Sequence, residues 1–157
     1  MAYVAGASDA IPVATGCIFC TALAASPAHD REHLVLRRGE RAYLILNRYP
    51  YTSGHLMAVV NRHVSSLAEA TRDELADTMA LTGDATRMLG RVYRPDGFNI
   101  GINQGRAAGA GIEGHLHVHV VPRWAGDCNF MPVLGEVRVL PEALEVTWAR
   151  LREAPGD

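Results

Sequence analysis

Three histidines alternate with apolar residues at positions 115–121 of this 157-residue chain, in the order His-Leu-His-Val-His-Val-Val. In a β-strand, successive side chains point to opposite faces, so this segment would project three imidazoles from one face and bury Leu116, Val118 and Val120 on the other. A single histidine on a strand is commonly a hydrogen-bonded structural residue. Three imidazoles in a row crowd each other without any packing benefit, so the pattern predicts a functional site.

Two chemistries use such a face. Alternate histidines can bind a catalytic zinc, or one imidazole can act as a nucleophile toward phosphorus while its neighbours bind the phosphate. The glycine-rich segment Gly105–Gly114 precedes the histidines and offers backbone amides to an anion, and Arg106 and Arg123 flank the run. No Asp or Glu lies within it to orient metal-bound imidazoles. Phosphate chemistry is therefore favoured, and a zinc hydrolase with the triad as its metal site is the alternative.

The composition sets limits on the class of protein. A net charge of −2 and a hydrophobic fraction of 48% are typical of a globular domain and argue against nucleic-acid or membrane partners. The longest mainly apolar stretch, Gly54–Val60, is far too short to span a bilayer. Three cysteines, Cys17, Cys20 and Cys128, do not form a disulfide framework, so we expect a reduced, cytoplasmic protein. We expect a flexible tail over residues 1–16 and a single domain over 17–157.

The elements that position the histidines follow from hydrophobic patterning and turn residues. Thr71 and Glu74 form a capping box at the start of a helix over about residues 72–92, whose apolar face is assigned to Leu75, Met79, Thr82, Thr86 and Leu89. We read the segment 25–32 as a polar connection, and we expect a last helix starting at Pro141. Strands are predicted over residues 41–46, 55–60, 98–103 and 115–121, with a short hairpin over 131–140. This order predicts an α+β fold, with helices on one face of an antiparallel sheet.

The sequence resembles the histidine triad superfamily. Besides the triad itself, the similarity covers Cys17-Ile18-Phe19-Cys20, Leu46-Asn47-Arg48-Tyr49-Pro50 followed by Gly54-His55, and Val121-Pro122-Arg123, within about residues 17–150. Trp124 and the segment 126–130 resemble the branch that acts on dinucleoside polyphosphates, which includes hydrolases and bacterial phosphorylases. The resemblance implies an antiparallel sheet of about five strands, one long helix, a C-terminal helix and a homodimer.

The resemblance also implies a role for individual residues. His117 would be the nucleophile, His119 would donate to a phosphate oxygen, and His55 would order the row that begins with His115. Nucleotide contacts are implied for Asn47 at the ribose, for Asn103 or else Gln104 at the phosphates, and for Ile18, Phe19 and Ile45 at the base. Many relatives carry Ser, Thr or Gln shortly before the first triad histidine, where this chain has Gly111 and Ile112. The leaving-group contact would then come from backbone amides or another side chain, and Gly111 is therefore counted with the expected nucleotide-binding residues.

Metal binding is implied at a second place. In zinc-containing bacterial relatives, the Cys-x-x-Cys pair is completed by two histidines, and here the matching residues are Cys17, Cys20, His63 and His115. Such a closed four-ligand zinc would be structural. We expect no organic cofactor, and a divalent cation only as a companion of a polyphosphate substrate.

We therefore predict an enzyme that cleaves dinucleoside polyphosphates, such as diadenosine tri- or tetraphosphate, at the α-phosphate through a covalent nucleotidyl-histidine. The alternatives are a diadenosine tetraphosphate phosphorylase, a nucleoside phosphoramidate hydrolase and a nucleotide-binding protein without turnover.

Overall fold

A five-stranded antiparallel sheet forms the centre of the computed structural model, which describes residues 16–128 and 141–154. The spatial order is β1-β2-β3-β5-β4. The strands are β1 (Val35–Arg38), β2 (Ala42–Leu46), β3 (Leu56–Val60), β4 (Gly97–Gly101) and β5 (His117–Arg123). The predicted α+β class and the antiparallel sheet are confirmed. The predicted tail, except Gly16, and the hairpin over 131–140 lie outside the described residues.

Four α-helices surround the sheet in the described parts of the chain. They are α1 (Ile18–Ala24), α2 (Asp30–His33), α3 (Arg72–Tyr93) and α4 (Leu144–Arg152), with short 3-10 turns at Pro27–His29 and Arg106–Ala108. The capping box of α3 is confirmed: Thr71 Oγ1 accepts from the Glu74 amide at 3.2 Å, and a Glu74 carboxylate oxygen accepts from the Thr71 amide at 2.8 Å.

Helix α3 packs on β2, β3 and β5 with a face that includes the predicted Thr82 and Leu89 but not Met79. Met79, assigned to the core, is 55% exposed, whereas Thr78, Thr82 and Ala85 are buried. A search for apolar residues overlooks Thr78, because a threonine can be buried in a helix when its hydroxyl donates to a backbone carbonyl. Those of Thr78 and Thr82 donate to the carbonyls four residues earlier, at 2.6 and 2.8 Å.

Several predicted boundaries are wrong. Neither α1 nor β1 was predicted, and the connection over 25–32 contains a 3-10 turn and most of α2. The last helix begins at Leu144 rather than Pro141. Strand β5 begins at His117 rather than His115 and continues through Pro122, although we expected proline to end it. Proline is tolerated there because the pairing of β3 with β5 already ends at Leu56 opposite Val120.

No helix within residues 16–128 and 141–154 is long and apolar enough to cross a membrane.

Candidate active site and metal centre

A cavity of about 720 Å³ opens on the histidine-bearing face of the sheet. It lies between α1, the end of β2, the turn that follows β2, and the glycine-rich loop. His117 and His119 line it, and so do six of the seven predicted nucleotide-binding residues: Ile18, Phe19, Ile45, Asn47, Asn103 and Gly111. The cavity thus combines an apolar wall with amide and imidazole groups, as is usual for small-molecule sites.

His117 is held with one ring nitrogen committed to the backbone. Its Nδ1 lies 2.7 Å from the carbonyl oxygen of His115, and since a carbonyl only accepts, Nδ1 carries the proton. The imidazole is buried, which lowers the pKa of His117 and keeps the ring neutral near pH 7. A neutral ring protonated on Nδ1 has its lone pair on Nε2, as a nucleophile requires.

His119 is oriented by His55, which immediately precedes β3. The His55 Nε2 lies 3.0 Å from the His119 Nδ1, and the His55 Nδ1 accepts from the Tyr51 amide at 3.2 Å. The proton of neutral His55 is therefore on Nε2 and is donated to His119 Nδ1. His119 in turn carries its own proton on Nε2 and can donate it to a ligand.

Burial keeps this pair uncharged. Loss of solvent lowers the pKa of His55 to about 3 and that of His119 to about 4, and repulsion from neighbouring imidazoles acts in the same direction. Near neutral pH the cavity therefore presents an imidazole lone pair on His117 and an imidazole N–H on His119.

His115, the first triad histidine, does not line the cavity and lies against the cysteine pair instead. The His115 Nε2 donates to the Val60 carbonyl at 2.6 Å, which leaves Nδ1 unprotonated. That nitrogen lies 3.3 Å from Cys17 Sγ, 3.5 Å from Cys20 Sγ and 3.2 Å from His63 Nδ1. The four ligand atoms all lie within 4.8 Å of one another.

This cluster fits a tetrahedral metal ion. Zinc binds cysteine sulfur and histidine nitrogen at about 2.0–2.3 Å, which places the ligand atoms roughly 3.3–3.8 Å apart. The distances of 3.2–3.5 Å from His115 Nδ1 to the other three atoms are close to this range. Donation by the other ring nitrogen to a carbonyl is the usual orienting bond of a metal-binding histidine. The residues that we predicted as ligands are therefore brought together.

Helix α1, which carries both cysteines and part of the apolar wall, is tied to the sheet by two side chains. The Tyr43 hydroxyl donates to the Phe19 carbonyl at 2.8 Å. The Arg38 guanidinium donates to the carbonyls of Ala22, Leu23 and Ala25, at the C-terminal end of the helix, and to the Asp30 carboxylate. The cation thereby satisfies carbonyls that a helix end leaves unpaired.

The turn between β2 and β3 places Asn47 beside His55. The Asn47 side-chain oxygen accepts from the Tyr49 amide at 2.9 Å, and its nitrogen lies 3.4 Å from His55 Nε2. The turn ends at Gly54, with φ +82°, where a Cβ would lie 2.8 Å from a Leu89 methyl. Only glycine fits this position.

Three predicted cavity groups lie elsewhere. Gln104 accepts from the Leu67 amide at 3.0 Å and does not line the cavity. We also expected Arg106 and Arg123 to contribute positive charge to the phosphate site, and this expectation is wrong. Arg106 pairs with Glu113 and Arg123 with Asp127, and neither arginine lines the cavity. The net charge of the sequence does not show that each of these arginines has a carboxylate partner nearby.

Arg48 and Tyr51 line the cavity instead, and our reading of the sequence missed both. Their signal was the turn sequence 46–55, in which we assigned roles only to Asn47 and His55.

The imidazoles do not converge as a triad metal site would require. Among the described residues, the one group of His, Cys, Asp and Glu with metal-binding geometry contains His115 but neither His117 nor His119. The described residues therefore favour the cysteine pair, His63 and His115 as the metal-binding group and give no support to a catalytic zinc on the triad.

The family model of the HIT domain matches residues 29–126. The chain belongs to the HIT domain family. An AP-4-A phosphorylase from Mycobacterium tuberculosis is 48% identical over 128 residues, which are 77% of this chain and 66% of that protein. This chain thus spans slightly less than two thirds of that relative.

Two further relatives are informative. An asymmetrical bis(5'-nucleosyl)-tetraphosphatase from Schizosaccharomyces pombe is 30% identical over 93 residues, 59% of this chain and 50% of that protein. The crystal structure of a zinc-bound histidine triad family protein from Mycobacterium smegmatis superposes with a TM-score of 0.69 at 29% identity, covering 88% of this chain and 92% of the other.

Proposed function

We propose that this protein transfers a nucleotidyl group from a dinucleoside polyphosphate, such as diadenosine tetraphosphate, through a covalent intermediate on His117. The observation that carries the proposal is the state of this imidazole. It lines the cavity, is neutral, and has Nδ1 bonded to the carbonyl of His115, so that Nε2 is the nucleophile. Two relatives whose names denote cleavage of dinucleoside tetraphosphates support this substrate class.

In the first step, His117 Nε2 attacks the α-phosphorus, and the bond to the bridging oxygen of the β-phosphate breaks. Diadenosine tetraphosphate then releases ATP and leaves AMP bonded to the imidazole. The His119 Nε2–H donates to a non-bridging oxygen as charge develops there. Asn103 and the backbone at Gly109 and Gly111 line the same cavity and offer further donors. They replace the hydroxyl or amide side chain that many relatives carry in this loop.

The nucleoside is held at the opposite wall. Phe19, Ile45 and Met57 line the cavity with apolar surface suited to a purine, and Asn47 offers its amide to the ribose hydroxyls. These contacts do not change during the reaction, so they provide affinity and selectivity rather than rate.

In the second step an acceptor oxygen attacks the phosphorus and restores His117. Phosphate as acceptor yields ADP, and water yields AMP. We favour phosphate, because the relative that is 48% identical is named as a phosphorylase. Hydrolysis is the second candidate, favoured by the tetraphosphatase that is 30% identical.

Product analysis separates these reactions. Purified protein is incubated with diadenosine tetraphosphate, with and without inorganic phosphate, and nucleotides are separated by anion exchange. We expect ADP and ATP in multiple turnovers only with phosphate, and without it at most one equivalent of ATP per active site. AMP and ATP without phosphate would establish hydrolysis instead. The absence of turnover in both arms, with adenosine phosphoramidate cleaved, would replace the dinucleotide proposal by phosphoramidate hydrolysis.

We also propose that Cys17, Cys20, His63 and His115 hold a structural zinc. The ion would supply no substrate activation, since all four positions of a tetrahedral site are filled by the protein. These residues would fix α1 and the backbone of His115, whose carbonyl orients the nucleophile. The zinc-bound relative from Mycobacterium smegmatis supports this assignment.

A homodimer through the β4 edge is our proposal for assembly. Strand β4 ends the sheet and Ile100 on it is 47% exposed, whereas α4 donates from Trp148 and Arg152 to carbonyls of β1 at the other edge. Pairing would cover the open strand. Light scattering should give twice the chain mass, and a monomer at micromolar concentration would contradict it.

We place the protein in the cytoplasm, because its three cysteines form no disulfide and two of them lie in the metal-binding cluster, which suits a reducing compartment. Fractionation of the source cells tests this.

A further inference from the structure

Tyr51 is an aromatic side chain with one face on the active-site imidazoles and the rest in solvent. Its ring centroid lies 4.6 Å from that of His55 and 6.3 Å from that of His119, with interplanar angles of 39° and 25°. The residue is nevertheless 66% exposed. The inner face of the ring thus lies against the histidine pair, while the rest of the side chain meets solvent.

The backbone of the same residue sets the proton positions of that pair. The Tyr51 amide donates to His55 Nδ1 at 3.2 Å, which fixes the His55 proton on Nε2. That proton is donated to His119 Nδ1 across 3.0 Å, which fixes the His119 proton on Nε2. The chain of donors runs in one direction, from the turn to the cavity.

We propose that Tyr51 is a positioning residue that holds the His55–His119 pair in the tautomer and orientation in which His119 donates to the substrate phosphate. This inference rests on the function proposed above. Tyr51 acts through the two imidazoles, by its amide and by the ring that shields them from water.

The ring matters because the donor chain survives only while both imidazoles are neutral. A proton added to His119 Nδ1 would face the Nε2–H of His55 and break their hydrogen bond. The titratable or charged groups around the pair are His117 on β5, Tyr51 itself, and Arg48, Tyr49 and His33, which line the same cavity. Removing the ring of Tyr51 admits water to the pair and stabilises its charged forms.

The test compares Tyr51→Ala, which keeps the backbone amide and removes the ring, with Tyr51→Phe, which keeps the ring. Imidazole nitrogen NMR on ¹⁵N-histidine protein reports both the tautomer and the protonation of His55 and His119 without any substrate. In wild-type protein and in Tyr51→Phe we expect both rings neutral and protonated on Nε2 at pH 6. In Tyr51→Ala their titration should move to higher pH by about one unit.

Kinetics provide the second measurement. In Tyr51→Ala the acid limb of kcat should move upward with the NMR titration, while KM for the dinucleotide stays within about twofold, because the ring acts on the transition state rather than on binding. Met79→Ala is the control: it removes a side chain that is 55% exposed on α3 and does not line the cavity, and the acid limb should not move.

Titration of Tyr51→Ala at the wild-type pH, or a shift of equal size in Tyr51→Phe, would overturn the inference. The urea midpoint of each variant shows whether its fold is weakened. If Tyr51→Ala is weakened, Tyr51→Leu replaces it, because leucine restores apolar cover, and the titration of His55 and His119 must then return to the wild-type pH. If the wild-type protein does not cleave dinucleotides, the proposed function fails, and the NMR comparison still decides the role of Tyr51.

Discussion

Replacing Arg38 with methionine should destabilise the protein more than any other arginine change at the sheet. The Arg38 side chain is only 22% exposed, and it donates to three carbonyls at the end of α1 as well as to Asp30, whose side chain is 11% exposed. Methionine fills similar space but leaves these acceptors without a donor. Breaking a largely buried pair of this kind costs about 3–5 kcal/mol.

Arg37→Met is the matched control. Arg37 is the preceding residue of β1 and also pairs with an aspartate, Asp84, but its side chain is 42% exposed. Pairs exposed to that degree contribute about 0–1 kcal/mol. The two variants therefore differ in burial and in the number of acceptors, not in the chemistry of the substitution.

Urea denaturation followed by circular dichroism measures both free energies of unfolding. We expect Arg38→Met to lose at least about 2 kcal/mol more than Arg37→Met. Since α1 and its N-cap Cys17 supply both cysteines and part of the apolar cavity wall, Arg38→Met should also weaken AMP binding if the proposed site is correct. Equal losses in the two variants would refute the argument that Arg38 holds α1 in place.

Three further outcomes follow from the described contacts. Gly54→Ala should lose about 1–3 kcal/mol, because the residue has φ +82° and the new Cβ would meet Leu89; unchanged stability in urea would contradict this. Cys20→Ser should lower the zinc content measured by plasma emission spectroscopy, whereas Cys128→Ser, outside the cluster, should keep it; equal zinc in both would refute the four-ligand site. The free energy of unfolding should fall on acidification from about pH 6.5 to about pH 4. The pKa of His119 is about 4 in the folded protein, below its value in the unfolded chain, so the unfolded chain binds the proton first. Each such histidine contributes about 1.4 kcal/mol per pH unit in that window, and a free energy of unfolding independent of pH there would contradict the assignment.

Local periodicity predicted the parts of the molecule that depend on local rules. The alternation at 115–121 and the capping box at Thr71 each impose one geometry on a short segment; the capping box is present, and the alternating strand is present from His117 onward. The resemblance added the expected nucleotide contacts, and six of those residues line one cavity.

The remainder depends on contacts between distant segments. The N-cap of α1, Cys17, makes no side-chain capping bond, so no local signal announced the helix. What holds α1 is Arg38 and Tyr43 on the sheet. The start of β5 at His117 also depends on such contacts. The backbone of Leu116 bonds to Val60 and Val64 outside the regular pairing of β3 with β5. Likewise, the contact of Tyr51 with two imidazoles needs the turn and β5 side by side.

The covalent intermediate is the central claim, and it is tested most directly by trapping it. Wild-type protein is mixed with diadenosine tetraphosphate without inorganic phosphate, quenched in alkali to preserve the phosphoramidate bond, and digested for mass spectrometry. We predict a single adenylyl group on the peptide that contains His117, lost when phosphate is added before quenching, and absent from His117→Ala, whose kcat should fall by more than about 10³-fold. An adduct on another residue, or turnover by His117→Ala near the wild-type rate, would contradict the account.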